Sequence, residues 1–469
     1  KSALVTGLCR AAARRGIDVV PFKSQNMSNN SMVCPDGAEI GRAQYLQATA
    51  AGAVPNAAMN PVLLKPGTDR RSFIVLMGSP AGELDAGEYA TGRRRLAQAA
   101  FEAYADLAGH HELVVCEGAG SPAEINLRAG DYVNMGLARK FNLPTVVIGD
   151  IDRGGVLASL YGTWALLDEA DRALLRGYVI NKFRGDASIL APGLAEISGR
   201  TGMTGYGVLP WLPGVWIDGE DALQVDRWAR EEGAGSASLR VAAVRLPRIS
   251  NATDIDALAA EPGVDVQVTD DPRVAARADL LVLPGSRSTV EDLAWLTERG
   301  IGRVAARRHA EGRPVLGICG GYEMLGERLD DEVESRTGTV PGLGLLPMRV
   351  RFAGDKTVRV ASYGYRGMTV TGYEIHHGIC ETSGGEPFLD GVRSAGTWGT
   401  MLHGSLENDD FRRAFLSEVA AIAGSGWTPD ESAPGYAQRR ERMISTLADA
   451  LEENLDVDAL LALAREGDR

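Results

Sequence analysis

The sequence predicts an α/β protein made of two parallel-sheet domains in tandem, and three observations predict it. Short β-branched runs alternate with longer amphipathic stretches along most of the chain, the pattern of β-α units wound about a mostly parallel sheet. The pattern breaks at 227–238 in a small, polar, Gly-containing run without periodicity, which reads as a linker. A length of 469 residues is roughly three times that of an average domain. One small module is therefore excluded, and the expected domains are 1–230 and 239–469.

The front domain opens with Lys1-Ser2-Ala3-Leu4-Val5-Thr6-Gly7-Leu8, an apolar helical pattern that ends at Gly16. A Lys-Ser pair heading a helix is how a phosphate-binding loop finishes: the Lys reaches the outer phosphates and the Ser hydroxyl ligates magnesium. The glycines of such a loop are expected ahead of Lys1. Strands follow at 18–22, 73–77, 113–116, 145–148 and 178–180, with helices at 92–107, 132–141 and 156–167, which makes a doubly wound sheet. Ligands of such sheets bind beyond the carboxyl ends of the strands. The rear domain repeats the pattern with strands at 241–244, 264–268, 280–283 and 315–318. After Leu343 short extended segments and turns are expected, then helices at 411–423 and 443–464 whose Leu/Ala spacing suggests a packed helical extension.

Sixty-two acidic against 49 basic residues give a net charge of -13, which repels nucleic acid and anionic membrane surfaces. Anionic ligands must then be held by local cations, and Lys23, Lys65 and Arg153 are the candidates. Cys9, Cys34, Cys116, Cys319 and Cys380 are scattered without the short paired spacing of a zinc site or disulfide framework, so a reducing cytoplasm fits best. No apolar run of about 18 residues and no charged-then-apolar leader is visible, and no membrane association is expected.

The post-strand segments carry the chemistry. Pro314-Val315-Leu316-Gly317-Ile318-Cys319-Gly320-Gly321-Tyr322-Glu323 runs from an apolar strand through a Gly-flanked Cys into a helix. This is a nucleophile elbow, where small neighbours permit a strained turn and a helix N-terminus favours the thiolate. A thiolate needs a base, and of six histidines His403, in Thr400-Met401-Leu402-His403-Gly404-Ser405, is suitably placed between an extended segment and a helix. The turn Pro284-Gly285-Ser286-Arg287 ends another strand, and its amides could join that of Gly320 in an oxyanion hole. In the front half, Glu117 follows one strand in Val115-Cys116-Glu117-Gly118-Ala119-Gly120, and Asp150, Asp152 and Arg153 follow the next. The string Lys23-Ser24-Gln25-Asn26-Met27-Ser28-Asn29-Asn30-Ser31, with 36–44 and Lys65 in 59–66, is rich in neutral donors and acceptors. Gln25, Asn26, Asn29 and Asn30 with Lys23 and Lys65 suit a large ligand edged with amides and carboxylates.

Elbow, loop and histidine, in this order, resemble the class I (triad-type) glutamine amidotransferase domain, in which Cys attacks the glutamine amide and a thioester releases glutamate. In that family Pro-Glu usually follows the His, and the Glu orients it; here Gly404-Ser405 follows. The departure is similar to the cobyric acid synthase and cobyrinic acid diamide synthase branch, which also carries Gly372-Tyr373-Glu374-Ile375-His376. Glu374, Glu407 or no residue is left to orient His403. The front half resembles the P-loop family of dethiobiotin synthetase, which passes the γ-phosphate of ATP to a carboxylate. That likeness implies Lys1 on phosphate, Ser2 and Glu117 on Mg2+, and Asn181 facing adenine.

The strings at 21–31, 36–44 and 59–66 closely resemble the cobyric acid synthase family, and the likeness runs over nearly the whole chain. It implies ATP- and L-glutamine-dependent amidation of the b, d, e and g carboxylates of adenosylcobyrinic acid a,c-diamide, with no tightly bound prosthetic group. Oligomeric state, the order of amidation and the route of ammonia are left open. The neighbouring alternative is cobyrinic acid a,c-diamide synthase. An alternative of another class is a P-loop partition-type ATPase with an inert rear domain, which would need a basic or amphipathic surface that the charge balance does not supply.

Overall fold

The computed structural model describes residues 1–67, 71–85, 89–213, 215 and 238–466. The expected linker at 227–238, Ser238 apart, lies outside the described residues, as does the expected boundary at 230.

The helix Ser2–Arg14 begins immediately after Lys1 and is stopped by Gly16 at φ 76°. Val19–Phe22 pairs in parallel with Leu113–Cys116, and Thr145–Asp150, Leu175–Phe183 and Thr204–Pro210 form a three-stranded parallel sheet. Lys23 and Glu117 follow the carboxyl ends of one pair, and Asp150 faces Asn181 at the corresponding end of the other. The expected strand at 73–77 exists but lies elsewhere. Arg71–Leu76 is the middle of an antiparallel set with Val62–Pro66 and Ser79–Asp85, to which Gln25–Met27 adds in parallel. Met77 and Gly78 both take positive φ, 49° and 78°, as a tight two-residue hairpin turn requires. A β-branched run reports a strand, not the direction of its neighbours.

In the rear half one seven-stranded sheet carries five parallel strands in the order Val264–Thr269, Leu239–Val244, Leu280–Leu283, Val315–Ile318, Thr397–Thr400. Gly391–Ser394 and Glu386–Phe388 extend it antiparallel. The short segments expected after Leu343 are instead dominated by a long hairpin, Met348–Tyr365 against Met368–Thr382. Its strands hide from a hydropathy reading because their outer halves project from the core and carry polar residues, and a register shift interrupts them between Phe352 and Thr357.

The helical extension does not stay with the rear sheet. Tyr436–Asn454 crosses back and packs along Ser2–Arg14, where Met443, Ile444 and Leu447 share a core with Val5, Cys9, Ala12, Val19 and Val115. Contact is close enough that a Cβ on Gly7 would stand 3.0 Å from Leu451 Cδ1. Arg10–Glu441 and Arg14–Asp449 ion pairs flank the seam. No helix among the described residues is long and apolar enough to cross a membrane.

Since Leu451 is 1% exposed between the two helices, Leu451→Ala should destabilise the front half by about 2–5 kcal/mol. Urea unfolding followed by a probe in the front half checks this; an unchanged midpoint would show that the seam contributes nothing.

Candidate active sites

Cys319 sits at the end of Val315–Ile318, its amide donating to Thr400 O on the adjacent parallel strand at 2.8 Å. Its backbone is forced to φ 49°, ψ -115°, a strained turn that the neighbouring glycines make feasible. A Cβ on Gly321 would lie 1.9 Å from Leu283 O, so the chain can turn this tightly against the next strand only without a side chain there. The strand bearing Thr400 ends three residues before His403, and both residues therefore reach the same edge of the sheet. Between them runs Tyr373-Glu374-Ile375: Tyr373 exchanges both backbone hydrogen bonds with His403 at 2.9 Å, and the Cys319 sulfur faces Ile375 O at 3.9 Å. The Tyr373 ring stacks on the imidazole at 5.4 Å.

Neither Glu374 nor Glu407 orients His403. Glu374 is held by Arg359 at 2.8 Å and by Tyr363, and Glu407 by Arg42 at 2.6 Å and Arg440 at 2.7 Å. The orienting group is Asp254, whose Oδ2 lies 2.6 Å from His403 Nδ1 and whose Oδ1 accepts the Gly404 amide at 2.6 Å. Both side chains are sealed from solvent, at 0% and 1% exposure. A carboxylate only accepts, so Nδ1 carries the proton, and buried Nε2, without a hydrogen bond, presents its lone pair. Gly285 and Gly320 meet at this edge: a Cβ on the first would lie 2.8 Å from His403 Cε1, and one on the second 2.8 Å from Ser286 N.

The expected thiolate is not favoured by the helix behind it. Gly320–Leu325 is only six residues long; burial raises the Cys319 pKa well above its usual value, Glu323 raises it further, and the Gly320 amide lowers it only in part. The sulfur is therefore a thiol until a base takes its proton. Glu323 itself is 3% exposed and accepts from Thr289 at 2.7 Å; burial, then Glu334, push its carboxyl up to about 7.

In the front half Ser2 Oγ donates to Glu117 Oε1 at 2.8 Å, Gln47 donates to Glu117 Oε2 at 2.9 Å, and Lys23 Nζ lies 3.5 Å from the same carboxylate. Lys1 donates to Gly120 O at 2.7 Å. This is a compact oxygen-rich centre at the head of a helix, and the buried Gln47 Oε1, which has no hydrogen bond, supplies a further oxygen. The donor set fits a hard cation with phosphate.

The amide-rich loop divides. Asn26 donates to Gln44 at 3.1 Å, beside Asn60, which accepts the Gly41 amide at 3.1 Å. A Cβ on Gly41 would fall 2.6 Å from Asn26 Nδ2. Lys65 is 4% exposed and pairs with Glu39, which also accepts from Lys356 of the rear half at 2.6 Å. Burial lowers the Lys65 pKa, Glu39 opposes it, and the result is about 8. Asn30 Oδ1 accepts the Ala252 amide at 3.1 Å. Asn26, Asn30 and Lys65 are thus built into the protein's own networks. Gln25 is half-buried under the Tyr132 hydroxyl, Asn29 keeps a buried Oδ1 without a hydrogen bond, and Arg153 is exposed on the turn after Asp150.

Asp254, Gln47 and Lys356 were not singled out by sequence reasoning. Asp254 had a signal: it ends Ser250-Asn251-Ala252-Thr253-Asp254, the segment beyond the carboxyl end of Leu239–Val244. Gln47 and Lys356 had none, one lying in a helix and one in a hairpin.

Residues 1–224 match the CobQ/CobB/MinD/ParA nucleotide binding domain, and residues 240–411 match the CobB/CobQ-like glutamine amidotransferase domain. The chain is similar to a cobyric acid synthase of Cutibacterium acnes, 64% identical over 470 residues covering 99% of this chain and 97% of that protein. It is also similar to cobyric acid synthases of Mycolicibacterium gilvum and Streptomyces coelicolor, each 54% identical over 100% of this chain and 94% of the relative.

Replacing Glu323, which ionises near pH 7 beside the sulfur, by Gln removes a like charge that opposes the thiolate. Glu323→Gln should therefore speed alkylation of Cys319 by iodoacetamide several-fold above pH 7 and much less below it. Peptide mass spectrometry across pH 6–9 checks this, and identical profiles would show that the carboxyl does not act on the thiol.

Proposed function

Because this chain belongs to the cobyric acid synthase family, we propose that its rear half frees ammonia from L-glutamine and its front half installs it on phosphate-activated carboxylates of a corrinoid. The substrate is adenosylcobyrinic acid a,c-diamide, amidated at its b, d, e and g carboxylates. The division of labour follows 1–230 and the chain from 239 onward, with Tyr436–Asn454 serving the front half. The observation that carries the reading is the buried Asp254–His403 pair, which leaves Nε2 unpaired at the edge that presents the Cys319 elbow.

In the first reaction Cys319 Sγ attacks the glutamine amide carbon as His403 Nε2 takes the thiol proton. Asp254 holds the resulting imidazolium, which lowers the cost of making a thiolate that burial alone opposes. Backbone amides at Gly285 and Gly320 face the developing oxyanion. The imidazolium returns its proton to the leaving nitrogen, ammonia departs, and water cleaves the thioester to glutamate.

A carboxylate is a poor acceptor of ammonia until phosphorylation removes its charge and supplies a leaving group. Ser2 and Glu117 would hold the Mg2+ that accompanies ATP, and that ion would draw charge from the phosphates. Lys1 and Lys23 stand at the same centre to hold the transferring phosphoryl group, and Asn181, opposite Asp150 at the strand ends, takes the adenine. Ammonia then attacks the acyl phosphate, and inorganic phosphate leaves. Gln25, Asn29 and Arg153 remain available to the edge of the macrocycle, while Asn26, Asn30 and Lys65 hold the loop that presents them. Five unpaired cysteines suit a cytoplasmic enzyme whose substrates are small molecules.

Cys319→Ser should abolish glutamine-driven amidation and leave ammonium-driven amidation intact, read as corrinoid products by mass spectrometry. Loss of both would reject the division of labour. Asp254→Asn keeps the shape but reverses the tautomer preference of His403, and should lower kcat for glutamine hydrolysis by about 10³-fold or more while ammonium-driven amidation persists. A variant within a few-fold of the parent would remove Asp254 from the mechanism.

A further inference from the structure

The front half grips the rear half through a reciprocal pair of asparagines. Asn251 Oδ1 accepts the Ser31 amide at 2.9 Å, and Asn30 Oδ1 accepts the Ala252 amide at 3.1 Å. Both asparagines are 3% exposed, so each carbonyl accepts its donor across the boundary away from competing water. Asn251 holds a left-handed backbone at φ 50°, a conformation that Asn tolerates better than most residues. There it starts the turn into Thr253–Ala259: its own carbonyl accepts the Asp254 amide at 3.3 Å.

Ile249 to Asp254 is the stretch on which three machineries converge. Asn251 and Ala252 meet the loop that carries Gln25 and Asn29. Ser250 donates its amide to Gly285 O at 2.9 Å, and Ile249 bridges to Ser286, so the same stretch holds the oxyanion turn. Asp254 holds both His403 Nδ1 and the Gly404 amide. A second contact runs parallel: the Arg287 guanidinium of the oxyanion turn lies 3.7 Å over the ring of Phe73 in the front half. The Asp254–His403 distance of 2.6 Å leaves little tolerance, because a shift of an ångström at the turn would break the hydrogen bond that fixes the imidazole.

We propose that Asn251 is a positioning residue that couples the corrinoid-facing loop to glutamine hydrolysis: corrinoid seated against residues 25–31 sets Asp254, and through it His403, through the Asn30–Asn251 clasp. The proposal rests on the assignment of glutamine hydrolysis to the rear half and amidation to the front. Its physical content is a coupling between two sites through a shared segment, and it concerns kcat for glutamine, not the affinity for it.

The test compares the full-length enzyme with Asn251→Gly, which keeps the left-handed backbone and deletes the acceptor, and Asn251→Asp, which restores an acceptor oxygen. Glutamine hydrolysis is measured with and without adenosylcobyrinic acid a,c-diamide and Mg-ATP, and ammonium-driven amidation and thermal unfolding are measured alongside. In the parent enzyme corrinoid with nucleotide should raise kcat for glutamine by about tenfold or more, and Asn251→Gly should lose most of that rise. KM for glutamine, ammonium-driven amidation and the melting temperature should stay near parental values, and Asn251→Asp should recover part of the rise. Full stimulation in Asn251→Gly, no stimulation in the parent, an Asp variant as defective as the Gly variant, or an equal loss of ammonium-driven amidation would each overturn the proposal. A parent enzyme that amidates with neither nitrogen source would instead overturn the functional assignment beneath it.

Discussion

A fully buried carboxylate is expensive unless it is matched, and the active edge of the rear sheet is arranged around matching one. Asp254 spends one oxygen on His403 Nδ1 and the other on the Gly404 amide. Moving either partner would leave charge uncompensated in the interior, so the end of Thr397–Thr400, the left-handed Gly404 at φ 73° and the segment from Ile249 must all arrive at one point. Tyr373 closes the free face of the imidazole by stacking. The histidine is thereby held in one tautomer and one orientation, with Nε2 its single nitrogen without a hydrogen bond.

The boundary between the halves is held by the same kind of device. Glu39 receives Lys65 from its own half and Lys356 from the other, and Glu407 receives Arg42 from the front half and Arg440 from the returning helix. Burial raises the pKa of each carboxyl, but the facing cations more than reverse it: Glu39 falls far below the carboxylate range and Glu407 to about 2. Buried ion pairs of this sort contribute less net stability than an apolar contact of equal size, but tolerate little misregistration, since a displaced partner strands its opposite. Their contribution at this boundary is therefore a fixed register between the two halves.

Much of the architecture was legible because it rests on periodicity. The rear strands at 241–244, 264–268, 280–283 and 315–318 are found where apolar runs end in Gly or Pro turns, and the elbow at Cys319 announces itself by glycines that a packed strand has no use for. What was not legible depends on contacts between distant segments. Asp254 and His403 are 149 positions apart, and nothing local marks which carboxylate will reach the ring; Glu374 and Glu407 were nearer in sequence and both were claimed by arginines. The amides of the 25–31 loop read as ligand-binding groups because their type suits a ligand, but type does not reveal direction, and Asn26 and Asn30 turn inward. The direction of Arg71–Leu76 was hidden for the same reason: hydropathy reports burial, and pairing is decided by the Met77-Gly78 turn.

The return of Tyr436–Asn454 to the opening helix has a consequence for how the chain is born. The rear core draws its residues from one uninterrupted stretch between Leu239 and Tyr436 and can consolidate as soon as that stretch has left the ribosome. The two front clusters against the helix Ser2–Arg14 cannot, because Met443, Ile444, Leu447 and Leu451 are among their walls. The clusters that cover the helix Ser2–Arg14 are therefore late to close, and that helix stays partly uncovered until Tyr436–Asn454 has been made.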